Sequence, residues 1–140
     1  MTVMNTTESS TTIWPTLRYR DAPAAIRFLI EAFGFEEVAV YRGADQSVVE
    51  HAELRWPRGG GVMLGSARPD SSIAALPPGT GSVYIVTDEP DALCERAQGA
   101  GANIVRGLRD EDYGSRGFTA RDPEGVFWSF GTYAGAGSAA

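Results

Sequence analysis

The chain has 140 residues, and 43% of them are hydrophobic, which is enough for the core of one domain but not of two. Its formal net charge of −6 argues against nucleic acid and anionic membranes as partners, because both are bound through clustered basic side chains. All 12 basic residues are arginines, so a phosphate-loop lysine, a Schiff-base lysine and a lysine general base are excluded.

Two features of the sequence indicate the compartment. Cys94 is the only cysteine, which rules out an internal disulfide and favours a reducing environment. Residues 1–12 lack the basic and apolar regions of a secretion signal, and no apolar run approaches the ~18 residues of a membrane span. We therefore expect a cytoplasmic protein.

The first predicted elements are a strand and a helix. An alternating run at residues 13–20 predicts the strand. Asp21 is expected to cap the helix, Pro23 occupies its first turn, and Gly34 ends it where a left-handed residue is favoured. The apolar side chains that recur at helical spacing between these ends are Ile26, Leu29, Ile30 and Phe33.

Three strand candidates follow this helix and complete a first unit, which we predict at residues 12–66. A connector rich in proline and glycine comes next, at residues 67–79. The two ends of the chain, residues 1–11 and 134–140, are expected to be flexible. The strand candidates of the first unit are residues 36–42, 47–56 and 60–66.

A second unit, predicted at residues 80–133, repeats this order. A strand at residues 82–87 leads to Asp88, which is expected to cap a second helix that ends at Gly101. The sequence of Asp122–Gly125, DPEG, favours a type I turn and therefore a hairpin between the last two strands. The strand candidates after this helix are residues 103–109, 116–122 and 125–133.

The two units are copies of one pattern. The motif D-x-P-x-A-I/L begins at Asp21 and again at Asp88, 67 residues later. The same separation relates Gly34 to Gly101, so the register holds across a whole helix. The sequence therefore predicts an α+β fold of two tandem βαβββ modules.

The duplicated unit, the D-x-P-x-A helix entry and the DPEG-VFWSFGTY ending resemble the vicinal oxygen chelate superfamily over residues 12–133. This group includes glyoxalase I, extradiol dioxygenases, fosfomycin-modifying enzymes and bleomycin-resistance proteins. The resemblance implies a curled mixed sheet in each module, with its helix on the outer face. It also implies that two modules enclose a small-molecule cavity, and that the protein forms a homodimer, as many members do.

The metal-using members of this group place His, Gln or Glu at four positions on the first and last strands of each module. Counting seven residues back from each expected capping aspartate leads to Trp14 and Gly81. Aligning the two final strands places the other two positions at Gly65 and Ser129. None of these side chains is an imidazole or carboxylate donor, so no metal or other cofactor is expected.

Residues two apart on a strand share a face of the sheet. If Trp14 faces the cavity, Thr16 and Arg18 face it as well. The side chains that then pack beneath the helix are Ile13, Leu17 and Tyr19. Aromatic walls with a few polar groups are typical of small-molecule sites. The other side chains expected on the cavity face are His51, Glu53, Arg55, Met63, Phe118, Phe127 and Ser129.

His51 and Glu53 allow two interpretations. They form a His-x-Glu pair on one strand face, which suits an acid–base pair or ligands of a divalent metal. The alternative is a hydrogen-bonded pair, joined by Arg55 or Arg18, that forms the polar floor of the cavity. The single histidine of the chain favours this second interpretation.

Three further predictions concern single residues. Trp14 either contacts a ligand or fills space left by lost metal chemistry. Cys94, within the second helix, is expected to be a structural thiol rather than a nucleophile. Tyr113 and Arg116 either close over a ligand or belong to an ordinary strand connection.

The leading functional hypothesis is a metal-independent small-molecule-binding protein, similar to bleomycin-resistance proteins, that sequesters or carries an amphipathic or aromatic ligand. The acidic balance favours a cationic ligand. One alternative is a glyoxalase-like or dioxygenase-like enzyme, a lyase or isomerase, that uses His51 and Glu53 with or without a divalent metal. Another is a regulatory module that binds a partner and has no open cavity.

Overall fold

The structure is a computed structural model, and it describes residues 10–137. It contains the two predicted βαβββ modules. In the first, α1 continues directly into a π-helical segment (Leu29–Phe33). The elements are β1 (Thr16–Tyr19), α1 (Ala22–Phe28), β2 (Glu36–Arg42), β3 (Val49–Arg55), β4 (Gly61–Ser66), β5 (Ser82–Val86), α2 (Pro90–Gly99), β6 (Asn103–Asp110), β7 (Arg116–Arg121) and β8 (Phe127–Gly131).

Each module forms one four-stranded mixed sheet, with the strand orders β1-β4-β3-β2 and β5-β8-β7-β6. The first strand of each module pairs in parallel with the last, and all other pairs are antiparallel. A parallel pair needs a long crossover, which the helix and the two intervening strands supply. The predicted α+β fold is therefore confirmed. No helix within residues 10–137 is long and apolar enough to cross a membrane.

The two helices begin differently. The carboxylate of Asp21 accepts a hydrogen bond from the backbone N–H of Ala24 at 3.1 Å, so the predicted cap is confirmed. The predicted cap at Asp88 is wrong, because α2 begins one residue later and its N-cap is Glu89. The hydroxyl of Thr87 accepts the N–H of Glu89 at 3.1 Å and stabilises this entry instead.

The π-helical segment brings the two helix ends back into register. Gly34 and Gly101 both adopt left-handed backbone, with φ of 90° and 92°, as the repeat predicts. A π-turn contains one residue more than an α-turn. The first helix can therefore begin one residue earlier in the repeat than the second, at Asp21, and still end at the equivalent glycine. Arg96 of α2 donates hydrogen bonds to the carbonyls of Ile30 and Glu31 at 3.0 and 2.8 Å and joins the two helices there.

One aromatic cluster lies in the core that both modules share. Phe33, which is 1% exposed, packs against Trp128 and Phe130 with ring centroids 5.7 and 4.8 Å away. The indole N–H of Trp56, which follows β3, donates to the carbonyl of Val86 on β5 at 3.1 Å. The first module therefore reaches the second through both apolar packing and a hydrogen bond.

Two predictions of the side on which a side chain lies are wrong. Phe118 is fully buried and stacks on Phe130 at 5.1 Å, so it belongs to the core and not to the cavity face. The reason is the register of the last hairpin, in which Phe118 pairs with Phe130 while Thr119 pairs with Ser129. Ile13, expected beneath the helix, is 85% exposed because it precedes β1.

Asp122 forms a buried hydrogen-bond network between the modules. Its Oδ2 accepts from the hydroxyl of Tyr19 on β1 at 2.6 Å and from the indole of Trp128 at 3.0 Å. Its Oδ1 accepts from the backbone N–H groups of residues 124–126, which closes the predicted DPEG turn. Burial, followed by the charge of Asp122, raises the pKa of Tyr19 far above its ordinary value.

Of the predicted flexible ends, residues 1–11 and 134–140, residues 1–9 and 138–140 lie outside the described residues 10–137. These two predictions therefore stay predictions.

We expect Tyr19→Phe to lower the free energy of unfolding by about 1–3 kcal/mol, because it removes a buried hydrogen bond and leaves Asp122 with fewer donors. Urea unfolding followed by circular dichroism measures this change. Tyr84→Phe is the matched control, since the hydroxyl of this half-exposed residue donates only to the carbonyl of Tyr133. Its effect should stay within about 0.5 kcal/mol, and equal effects of both variants would contradict the prediction.

Candidate functional site

The sheet face opposite α1, called here the inner face, carries a row of residues across all four strands of the first module. Tyr41 on β2 pairs with His51 on β3, and Gly65 on β4 pairs with Arg18 on β1. The β3–β4 register pairs Ala52 with Leu64, so His51 comes next to Gly65. The row therefore runs Tyr41, His51, Gly65, Arg18, with Gly65 as its only position without a side chain.

Trp14 lies over the same β4 strand, near its other end. A Cβ placed on Gly61 would come within 2.9 Å of Cζ3 of Trp14, so the indole rests directly on this glycine. Gly61 shares its face with Met63 and Gly65, because residues two apart point the same way. Trp14 is half-buried and therefore keeps part of its surface open to a ligand.

Arg18 folds across Gly65. A Cβ on Gly65 would collide with Nη1 of Arg18, so the absence of a side chain there makes room for the guanidinium. Nε of Arg18 is buried and has no hydrogen-bond partner in the described part of the chain. A cavity of about 230 Å³ adjoins this side chain, with Arg68 and residues of the connector forming its other walls.

The side chains at the expected ligand positions do not suit the metal ion that some members of the vicinal oxygen chelate superfamily bind. Gly65, one of the four expected ligand positions, has a guanidinium over it, and a second cation is disfavoured beside a positive charge. Within residues 10–137, no group of three His, Cys, Asp or Glu side chains is arranged to hold a metal ion. No step of a reaction is therefore assigned to a metal here.

His51 and Glu53 form a hydrogen-bonded pair, with Nε2 of His51 at 2.8 Å from Oε2 of Glu53. Their side chains are 41% and 31% exposed. The ring of Tyr41 stacks on the imidazole, with centroids 6.2 Å apart. The expected link to Arg55 is wrong, because Arg55 pairs with Glu36 on the neighbouring strand.

The inner face of the second module carries hydroxyl and aromatic side chains. Ser129 shares a hydrogen bond with Thr119 at 2.8 Å, and Phe127 is 38% exposed beneath the guanidinium of Arg121 at 4.6 Å. Tyr84 on β5 is also half-exposed and pairs with Ser129. Sequence reasoning missed Thr119 and Tyr84, although the spacing of the DPEG turn would have placed Thr119 opposite Ser129.

The expected ligand position at Gly81 does not belong to this face. A Cβ on Gly81 would meet Leu17 at 3.2 Å and Val126 at 3.9 Å, and both of these side chains lie in the core. The count back from Asp88 failed because α2 begins one residue later than expected. Ser82 faces the inner side instead, since it pairs with Phe127.

Arg116 is held by ion pairs at the start of β7. Its guanidinium donates to both carboxylate oxygens of Asp91 at 2.8 and 3.0 Å, and these hydrogen bonds lower the pKa of Asp91. Tyr113 is 62% exposed and its ring contacts Tyr133 edge-on at 5.5 Å. Arg116 thus stabilises the contact between α2 and β7, while Tyr113 stays accessible.

A larger apolar cavity of about 430 Å³ lies between the modules, and its lining includes Gly61 and Tyr84 of the two inner faces. It separates the β3–β4 turn from β5, and sequence reasoning did not anticipate it because its walls come from both modules. The lining side chains and turn residues include Ile13, Pro15, Phe35, Trp56, Arg58, Val62, Val83 and Ile85.

Comparison with known proteins identifies the family. Residues 11–130 match the model of the Glyoxalase/Bleomycin resistance protein/Dioxygenase superfamily, and the chain belongs to this superfamily. An uncharacterized protein of Mycobacterium bovis is 32% identical over 126 residues, which cover 84% of this chain and 80% of that protein.

Two solved structures show the same fold. TioX from Micromonospora sp. ML1 is 29% identical with a TM-score of 0.74, and the match covers 87% of this chain and 98% of TioX. A glyoxalase/bleomycin resistance protein from Streptomyces sp. CB03234 is 21% identical with a TM-score of 0.66, over 86% of this chain and 98% of that one. The second likeness concerns the fold alone.

Cys94 is 5% exposed within α2, and burial raises the pKa of its thiol. We therefore expect Ellman's reagent to react with the native protein at least about tenfold more slowly than with the urea-unfolded chain, because little thiolate forms and access is blocked. The absorbance of the released thionitrobenzoate measures both rates. Equal rates would contradict a structural role for Cys94.

Proposed function

We propose that this protein binds a small amphipathic or aromatic molecule without a metal, and sequesters or carries it. The observation that supports this proposal best is the guanidinium of Arg18 over Gly65, where metal-using relatives are expected to place a metal-binding carboxylate. The half-buried indole of Trp14 on the same face offers the apolar surface that such a ligand needs.

The comparisons are consistent with a binding function. The family description includes bleomycin resistance proteins beside glyoxalases and dioxygenases. The ligand-binding roles of the inner-face residues nevertheless rest on their geometry. These residues are Trp14, Thr16, Arg18, His51, Glu53, Met63, Phe127 and Ser129, with Tyr113 nearby.

The proposal includes a homodimer. The inner faces of both modules carry partly exposed side chains in the single chain, and β2 and β6 are outer edge strands of their sheets. A second copy that covers these edges would enclose the site, and edge strands are natural places for such pairing. A cytoplasmic location is part of the same proposal, since the lone cysteine suits a reducing compartment.

Isothermal titration calorimetry tests binding directly. The titrants are naphthaleneacetamide, naphthylmethylamine and naphthaleneacetate, which share a ring and are neutral, cationic and anionic, and EDTA is present throughout. We expect at least one compound to bind, and Trp14→Ala to weaken its Kd about tenfold because an aromatic contact is lost. Val105→Ala, at a half-exposed position on β6, is the control.

Absence of binding for all three compounds would contradict the proposal. Binding that Trp14→Ala leaves unchanged would place the ligand elsewhere, for example in the cavity between the modules.

The second candidate function is catalysis. The hydrogen bond of 2.8 Å between His51 and Glu53 favours it, because a histidine oriented by a carboxylate is a common acid–base arrangement. In this alternative the enzyme is a glyoxalase-like lyase or isomerase, or a dioxygenase that uses the pair as ligands of a divalent metal.

Native mass spectrometry distinguishes these functions. Protein purified without chelators is expected at twice the 14.9 kDa chain mass, with no adduct after zinc, manganese or iron is supplied. A stoichiometric metal adduct that His51→Ala removes would favour the enzyme. A monomeric mass at micromolar concentration would contradict the dimer.

A further inference from the structure

Arg18 differs from the other arginines of the described chain. Most of them form an ion pair or a hydrogen bond with a carbonyl, as Arg55 does with Glu36 and Arg121 with the carbonyl of Gly125. Arg20 and Arg27 have no side-chain partner among residues 10–137, but both are exposed to water. Arg18 alone combines a buried Nε with the absence of a partner there.

This arrangement is unfavourable for the folded protein by itself. A buried N–H without an acceptor loses its hydration and gains nothing in exchange, and the loss is larger for a charged group. The guanidinium also occupies the space beside Gly65, and a Cβ there would force Nη1 of Arg18 to move. A guanidinium is expected to occupy such a position when a bound ligand supplies the missing hydrogen-bond acceptor.

The surroundings leave the positive charge of Arg18 uncompensated. Arg68 lines the same cavity of about 230 Å³, and its guanidinium faces Glu50 at 3.6 Å and Asp70 at 3.9 Å. Those two carboxylates therefore already have a cation. The carboxylate of Glu53 accepts from His51 at 2.8 Å.

We infer that Arg18 binds a carboxylate of the ligand, which enters the cavity between β1 and the connector. This inference rests on the proposed function and names its ligand class, an aromatic carboxylate. A planar guanidinium with one free edge matches a carboxylate with two parallel hydrogen bonds. One unpaired arginine balances the single charge of a carboxylate, whereas a phosphate carries up to two.

The position of Trp14 sets the shape of this ligand. Trp14 lies four residues before Arg18, just ahead of β1, and four residues of extended chain correspond to about 13 Å at ~3.3 Å per residue. An aromatic ring on Trp14 and a carboxylate on Arg18 are thus the two ends of one elongated molecule. The local charge at Arg18 outweighs the acidic balance of the whole chain, which had favoured a cationic ligand.

The test compares an elongated aromatic acid, 6-(2-naphthyl)hexanoate, with its neutral amide by isothermal titration calorimetry with EDTA present, because its chain is long enough to join the two ends. We expect the acid to bind at least tenfold more tightly than the amide. Arg18→Met should abolish this preference, while the matched control Arg27→Met, on the exposed side of α1, should keep it. The melting temperature of Arg18→Met should be unchanged or higher, because the unpaired buried donor is gone.

Each outcome has a defined meaning. If the amide binds as tightly as the acid, or if Arg18→Met keeps the preference, this inference is wrong while the proposed function stands. If neither compound binds, this inference is wrong, while the proposed function fails only if the three titrants of its own test do not bind either. If inorganic phosphate displaces the acid at equal concentration, the site takes phosphate and the carboxylate assignment is wrong.

A lower melting temperature in Arg18→Met, with the preference intact, would assign Arg18 a purely structural role and overturn the inference. Arg18→Gln, which keeps a polar side chain without the charge, serves if Arg18→Met does not fold. It too should lose the preference for the acid.

Discussion

The carboxylate of Asp122 is the interaction on which the arrangement of the two modules depends. It accepts hydrogen bonds from Tyr19 in the first module and from Trp128 in the second, and it closes the turn between β7 and β8. The neighbouring Glu124 accepts the backbone N–H groups of Arg20 and Asp21 at 2.7 and 2.8 Å. A turn of the second module is thereby attached to the strand–helix corner of the first, and a fully satisfied polar network of this kind fixes a unique geometry.

This attachment also determines the orientation of the candidate site. Side chains alternate along β1, so anchoring Tyr19 in the core forces its neighbour Arg18 to the inner face. The backbone carbonyl of Arg18 accepts the N–H of Gly79 at 2.8 Å, which holds the end of the connector beside it. The cavity next to Arg18 is therefore bounded by elements that the Asp122 network keeps together.

Local signals in the sequence were sufficient for the fold and for much of the inner face. The repeated helix entry and the glycines at Gly34 and Gly101 predicted both modules, because caps and left-handed residues act within a few positions of the chain. The prediction that Phe118 faces the cavity is wrong because the face on which a side chain lies depends on which residues pair across the sheet. The shifted start of α2, one residue after Asp88, had no local signal, since the compensating π-turn lies in the other helix.

Two of the three expected metal positions that the structure places on the inner face, Trp14 and Gly65, are linked to Arg18 by one physical argument. A carboxylate at Gly65 would pair with Arg18 and neutralise it, so the guanidinium would have no charge left to offer a ligand. A side chain of any kind there would also displace the guanidinium from its position. The absence of a carboxylate at Gly65 therefore does more than remove a metal ligand. It creates an uncompensated positive charge at one end of a face whose other end carries an indole, and that pair of groups is complementary to an aromatic acid.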